Sequence, residues 1–201
     1  PHWRVLPDRH TEFGYGRVAA GGAWDNRGRA PNEVWYATVG FLPRTEVGLR
    51  WTVMPGVKAF ESVVPDSRLT DADRMLSARF AVLEPSGWRP GLAIGVEDAS
   101  GTRRFHSTYA VAGASGSIRS LRLSLAGGYA PRAFSATRHV LDGAFGAAEV
   151  ALPPRARILV EHDSEKWNAG FGLSPLGHLK LRAAWIDLRH PAVGIGWSMQ
   201  L

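Results

Sequence analysis

The sequence predicts an all-β fold: a closed, antiparallel, up-and-down transmembrane β-barrel of about twelve strands with a polar lumen. Three observations carry this. Apolar residues alternate with small or polar ones along most of the 201 residues. The alternating segments are joined by very short turns. The second face of each segment is Gly, Ala, Ser and charge, not a second set of large apolar side chains. A strand sends successive side chains to opposite faces, so each segment has one greasy face and one wettable face.

The predicted strands run over about 11–23, 34–42, 45–54, 74–83, 91–98, 104–112, 118–129, 141–151, 155–163, 166–173, 178–188 and 192–201. The second pairs Trp35, Ala37, Val39 and Phe41 with Val34, Tyr36, Thr38 and Gly40. The third sets Val47, Leu49, Trp51 and Val53 against Glu46, Gly48, Arg50 and Thr52. Leu76, Ala78, Phe80 and Val82 follow with Ser77, Arg79 and Ala81, then Leu121, Leu123 and Leu125 with Arg122, Ser124 and Ala126. Trp167, Phe171, Leu179 and Leu181 alternate with Asn168, Gly172, Lys180 and Arg182. The last ten residues alternate best, with Val193, Ile195, Trp197, Met199 and Leu201 on one face. Boundary drift of about 2–4 residues allows ten to fourteen strands.

Turns at Leu42-Pro43-Arg44, Pro153-Pro154, Ser164-Glu165 and Ser174–Gly177 are too short for crossovers and imply sequential antiparallel pairing. Longer polar segments fall at 24–33, 55–73, 84–90 and 130–140; the 55–73 stretch, with Pro55, Gly56, Pro65 and Asp66, is long enough to plug a lumen. Thr70 or Asp71 would also cap a short helix over 70–79, but the alternation favours a strand there.

Alternation alone also fits a soluble barrel or sandwich binding an anionic ligand. Such a protein fills its inside with large apolar residues. A dry core of Gly, Ser, Arg and Glu would lose most hydrophobic stabilisation and bury charge at a cost. Turned inside out, the apolar face meets lipid, closure leaves no unpaired edge in hydrocarbon, and charge lines the lumen. Glu46, Arg50, Arg79, Glu97, Arg122, Glu149, Glu161, Asp163, Lys180 and Arg182 form the candidate lumen set. These residues pair with one another, Glu161 and Asp163 with Arg155 or Arg157, or line a path for an anionic glycan with Tyr36 stacking on sugar faces. Trp24, Trp35, Trp51, Trp167 and Trp185 are placed to form interfacial girdles.

The balance of 24 basic and 18 acidic residues suits anionic glycans, lipopolysaccharide or nucleic acid, but the arginines are scattered singly and form no stacking platform, which argues against nucleic acid. Without cysteine there is no disulfide, thiolate metal site or cysteine nucleophile. No His/carboxylate spacing suggests a metal, and no cofactor is assigned. A barrel hydrolase or acyltransferase needs Ser and His within hydrogen-bond reach; His106 and Ser107 are adjacent on a strand and point apart, so a lipid-modifying enzyme is the lesser reading. Pro1 opens no signal-peptide pattern, which fits a cytosolic chain, a mature chain or a fragment.

Gly196-Trp197-Ser198-Met199-Gln200-Leu201 has the spacing of the final strand of outer-membrane barrels, so Gly196, Met199 and Leu201 are candidate signals for the barrel-assembly machinery. A longer run, Arg89-Pro90-Gly91-Leu92-Ala93-Ile94-Gly95-Val96-Glu97-Asp98-Ala99-Ser100-Gly101-Thr102, is followed by Tyr109–Ala112, Leu121–Gly128, Leu141–Gly146, Glu161–Asp163 and Asn168–Gly170. On these residues the chain resembles the YjbH family of exopolysaccharide-associated outer-membrane proteins. The resemblance implies one barrel domain over 1–201, a compact member or part of a longer one, in the outer membrane of a Gram-negative-type envelope. It implies a pore or accessory scaffold in exopolysaccharide or capsule production and export, with lipopolysaccharide, outer-membrane lipid and polysaccharide-export proteins as partners. It implies no catalytic residues.

Overall fold

A computed structural model describes residues 6, 9–19, 32–54, 71–101, 105–135 and 141–200. Twelve strands form one closed barrel: β1 (His10–Val18), β2 (Asn32–Leu42), β3 (Thr45–Met54), β4 (Asp71–Leu83), β5 (Gly91–Gly101), β6 (Ser107–Ile118), β7 (Leu121–Ala130), β8 (Gly143–Leu152), β9 (Ala156–His162), β10 (Trp167–Leu173), β11 (Leu179–Ile186) and β12 (His190–Gln200). Every strand pairs antiparallel with its sequence neighbours, and β1 pairs with β12 to close the ring. Closure leaves no sheet edge to be satisfied by lipid.

The outward positions hold Phe13, Trp35, Leu49, Trp51, Phe80, Ile94, Leu125, Ile158, Phe171, Leu181, Val193, Ile195 and Trp197, all exposed. So continuous an apolar belt around a closed wall is the surface of a transmembrane barrel, because water would not tolerate it. Trp35, Trp51, Trp167 and Trp185 all face outward near one rim, as a girdle requires. Trp24 lies outside the described residues. That rim carries the connections 19–31, 55–70, 102–106, 131–142, 163–166 and 187–189, whereas the opposite rim carries mostly tight turns and the longer connection 84–90, together with the start of β1 and the end of β12.

Several boundaries differ from expectation, and two of them have a clear cause. Gly113–Ser117, which lies between the predicted strands 104–112 and 118–129, is strand: β6 continues to Ile118, and the turn falls at Arg119-Ser120 with Arg119 at φ 56°. Within the run, Gly116 lies beneath the Trp88 indole, which folds over from the β4–β5 connection; a Cβ at Gly116 would collide with that ring. Asp71–Arg74 pairs with Trp51–Met54 of β3, so the helix alternative at 70–79 is not realised. Of the proposed plugging loop, 55–70 lies outside the described residues.

β5 carries a bulge. Leu76 opposes Ser100 while Ala78 opposes Val96, which leaves Asp98 in the left-handed region at φ 49°. Asp98 is fully buried, and its carboxylate accepts the Phe105 N–H at 3.0 Å, fastening the connection to β6. Beside it the inner wall of β5–β8 is apolar: Ala93, Tyr109, Val111, Ala130 and Phe145 pack together with Leu141. Tyr109 and Phe145 meet edge to face, 5.8 Å between centroids.

Candidate functional site

The lumen wall is built by period two, and the pairing register arranges its charges. Three inward arginines lie along one row of cross-strand neighbours starting at the rim of tight turns. Arg122 opposes Ala151, Ala151 opposes Arg157, Arg157 opposes Gly172, and Gly172 opposes Arg182. The cations therefore recur on every second strand, about 10 Å apart at ordinary strand spacing, with Ala or Gly between them. Each small residue leaves room for a long neighbour: a Cβ at Gly172 would stand 2.6 Å from Arg157 Nε. A parallel row runs Lys180, Gly196, Gly14, Tyr36, Arg50. There the Tyr36 ring covers both glycines, and added Cβ atoms would lie 2.6 and 2.7 Å from its hydroxyl.

Acidic residues hold these cations to the wall. Glu12 of β1 accepts from Lys180, Arg182 and the Tyr36 hydroxyl, the last at 3.1 Å, and the Arg182 guanidinium lies 5.4 Å from the Tyr36 ring centroid. Arg157 pairs with Glu149 at 3.8 Å. Arg79 pairs with Glu46, which is buried and also accepts the Leu6 N–H at 2.8 Å. Glu97 accepts from the Ser77 hydroxyl at 2.6 Å and the Tyr109 hydroxyl at 3.4 Å. Each of these ion pairs joins adjacent or next-but-one strands, so they lie along the wall. The Arg182 and Arg157 side chains stay about one-third exposed (35% and 33%), which leaves them accessible to water from the lumen. A small polar cavity of about 120 Å³ between Glu46, Arg50, Ser77, Arg79 and Glu97 has room for water of its own.

Of the sequence-derived lumen set, Glu46, Arg50, Arg79, Glu97, Lys180 and Arg182 thus gather in inward clusters. Arg50 lies beside Met75 with its guanidinium 5.9 Å from the Phe105 ring centroid. Arg122 sits near the rim and donates to Ser115 Oγ at 3.3 Å. Glu161 accepts from Asn168 at 3.3 Å. Asp163 lies beyond the end of β9, where it accepts from the Glu165 and Lys166 amides and from Asn168; it holds a turn instead of lining the wall. The pairing expected for Glu161 and Asp163 is corrected too: Arg157 takes Glu149, and Arg155 donates to the Pro175 carbonyl. Arg157 and Glu161 share a strand face but stand about 13 Å apart along it.

Sequence reasoning missed Glu12, the residue with most inward partners. Its signal was present, because Glu12, Gly14 and Gly16 alternate with Phe13 and Tyr15 as cleanly as any later strand. Gly196 and Met199 lie inward and outward on β12; Leu201 lies outside the described residues. Among the described histidines, His162 packs on Trp167, His178 lies near Trp197 and the Ser198 carbonyl, and His106 contacts the Asp98 carbonyl. Among the described residues no cluster of His, Asp and Glu could hold a metal ion.

Comparison with known proteins agrees with this architecture. Among solved structures, a KdgM porin superposes with a TM-score of 0.56 at 8% identity, covering 96% of this chain and 99% of that one, a likeness of fold. No curated protein matches the chain. A family model described as exopolysaccharide biosynthesis protein YbjH matches residues 17–147, reaching further toward the N-terminus than the residues that carried the resemblance. With well over half of its length matched by that model, the chain belongs to the YjbH family of exopolysaccharide biosynthesis proteins.

Proposed function

We propose that this protein is an outer-membrane pore of exopolysaccharide production, passing segments of an anionic glycan through its lumen without chemistry. The observation that carries the reading is the inward row Arg122, Arg157 and Arg182, with small residues between the arginines and acidic partners along the wall. Such a wall leaves the axis to water, presents a cation about every 10 Å, and offers Tyr36 as a stacking face for a sugar ring. The family supports a role in exopolysaccharide production, and the porin likeness supports a barrel of conducting size. The rim of long connections faces outside and the rim of tight turns faces the periplasm, as in other bacterial barrels. Gly196, Met199 and Leu201 serve the assembly machinery at the final strand.

Two measurements on the same protein test this. Insertion into planar bilayers should give discrete, anion-preferring conductance, and deletion in cells should lower secreted polysaccharide. Lowered secretion without conductance would make the barrel a scaffold for export proteins, a reading favoured by the ion-paired β3–β6 wall. Unchanged secretion removes the exopolysaccharide role. A changed lipid A or phospholipid mass profile on expression would instead establish the lipid-modifying enzyme.

A further inference from the structure

We propose that the outer wall at β1–β4 binds one lipopolysaccharide molecule, laying an acyl chain over Ala37 and holding a lipid A phosphate at Arg74. The register makes a dent there. Ala37 is an outward residue between Phe13 on β1 and Leu49 on β3, with Trp35 two residues along its own strand. Phe13 also opposes Trp197, and Leu49 opposes Leu76, so one small side chain is surrounded by large apolar ones. The result is a groove of about 720 Å³ with almost wholly apolar walls, within the size range of built ligand sites.

The groove ends on a charge. Tyr15, Trp35, Trp51 and Arg74 form one row of outward cross-strand neighbours, nearer the rim of long connections than Ala37. Tyr15 and Trp35 are in ring contact at 4.6 Å, and the Arg74 guanidinium lies 5.8 Å from the Trp51 ring centroid. Arg74 is exposed, and no carboxylate among the described residues pairs with it. A second exposed arginine, Arg17, faces outward closer still to the same rim. A guanidinium among acyl chains is costly, but at the headgroup level beside an aromatic girdle it meets lipid phosphate. Apolar groove and cation together match a phosphorylated, acylated lipid with its headgroup at the long-connection rim. This assignment rests on the outer-membrane orientation proposed above, which places that rim in the lipopolysaccharide leaflet.

The test uses the full chain in nanodiscs of phosphatidylethanolamine doped with bis-phosphorylated lipid A, dephosphorylated lipid A or phosphatidylglycerol. After detergent washing, retained lipid is weighed by native mass spectrometry. Bis-phosphorylated lipid A should be retained about ten-fold over the dephosphorylated form, the effect of one charge-assisted contact. Arg74→Gln should erase that preference, and Ala37→Phe should abolish retention of both forms while heat-dependent gel migration persists. Equal retention of both lipid A forms by the wild type, or a preference intact in Arg74→Gln, overturns the site. Phosphatidylglycerol retained as well as lipid A overturns lipopolysaccharide as the occupant. Conductance of Arg74→Gln should equal wild type, so the groove and the pore fail or stand separately; a protein fractionating away from the outer membrane removes the orientation while lipid A retention still reports on the groove.

Discussion

Glu12 shows how one side chain organises a barrel seam. It lies on the first strand, its cations lie on the eleventh, and the Tyr36 hydroxyl comes from the second. Glu12→Gln keeps the shape but leaves Lys180 and Arg182 without their counter-charge. We expect a loss of about 1–3 kcal/mol, below the full penalty of a dry ion pair because Arg182 is partly hydrated. The midpoint temperature at which the folded gel band disappears reads this out; a midpoint equal to wild type would show that the seam does not depend on the pair. Gly14 and Gly196 make a sharper case. Gly196→Val drives a side chain into the Tyr36 hydroxyl, so it should lower the same midpoint, and adding Tyr36→Ala should recover part of the loss. Purely additive effects would place the cost of Gly196→Val elsewhere.

Among the elements, β6 and the β4–β5 connection are packed against each other. Trp88 reaches from the turn to the outer face of β6, the Gly87 carbonyl accepts the Ser115 N–H at 3.3 Å, and Gly116 provides the space. Gly116→Val should displace the indole. Its effect on stability should match that of Trp88→Ala, and the double variant should be no worse than either. Tryptophan emission of Gly116→Val should shift to the red as Trp88 leaves its seat; an unshifted spectrum would place the ring elsewhere. The β5 bulge is a second local device: Asp98 adopts a left-handed backbone that a strand does not require, and one hydrogen bond to Phe105 ties it to the next connection.

For the molecule as a whole, polarity is inverted relative to a soluble barrel, and the proposed consequence is passage of an anionic glycan. If the barrel conducts as proposed, neutralising the arginine row by Arg122→Gln, Arg157→Gln and Arg182→Gln together should lower anion preference in bilayer recordings while the single-channel conductance stays within about two-fold, since the substitutions keep side-chain size. A preference unchanged in the triple variant would locate selectivity outside the row. High salt should weaken the wild-type preference, because charges hydrated by the lumen are screened over about 8–10 Å.

The alternation by itself determined the fold class: about twelve strands, their sequential pairing and the inside-out polarity follow from period two and short turns, while the exact strand bounds do not. The aromatic girdle was legible for the same reason, since Trp35, Trp51, Trp167 and Trp185 all sit within three residues of a strand end. Register was not legible. Which inward arginine faces which glycine depends on the stagger between strands and on the bulge at Asp98, and no single strand encodes either. The predicted strands left out Gly113–Ser117 because a run of small residues shows no apolar alternation, and a glycine beneath a tryptophan is recognisable only once the tryptophan's position is known. Glu12, read alone, is one more strand carboxylate. It becomes the meeting point of Lys180, Arg182 and Tyr36 because closure brings the first strand beside the last, a contact across some 170 residues that only the tertiary structure decides.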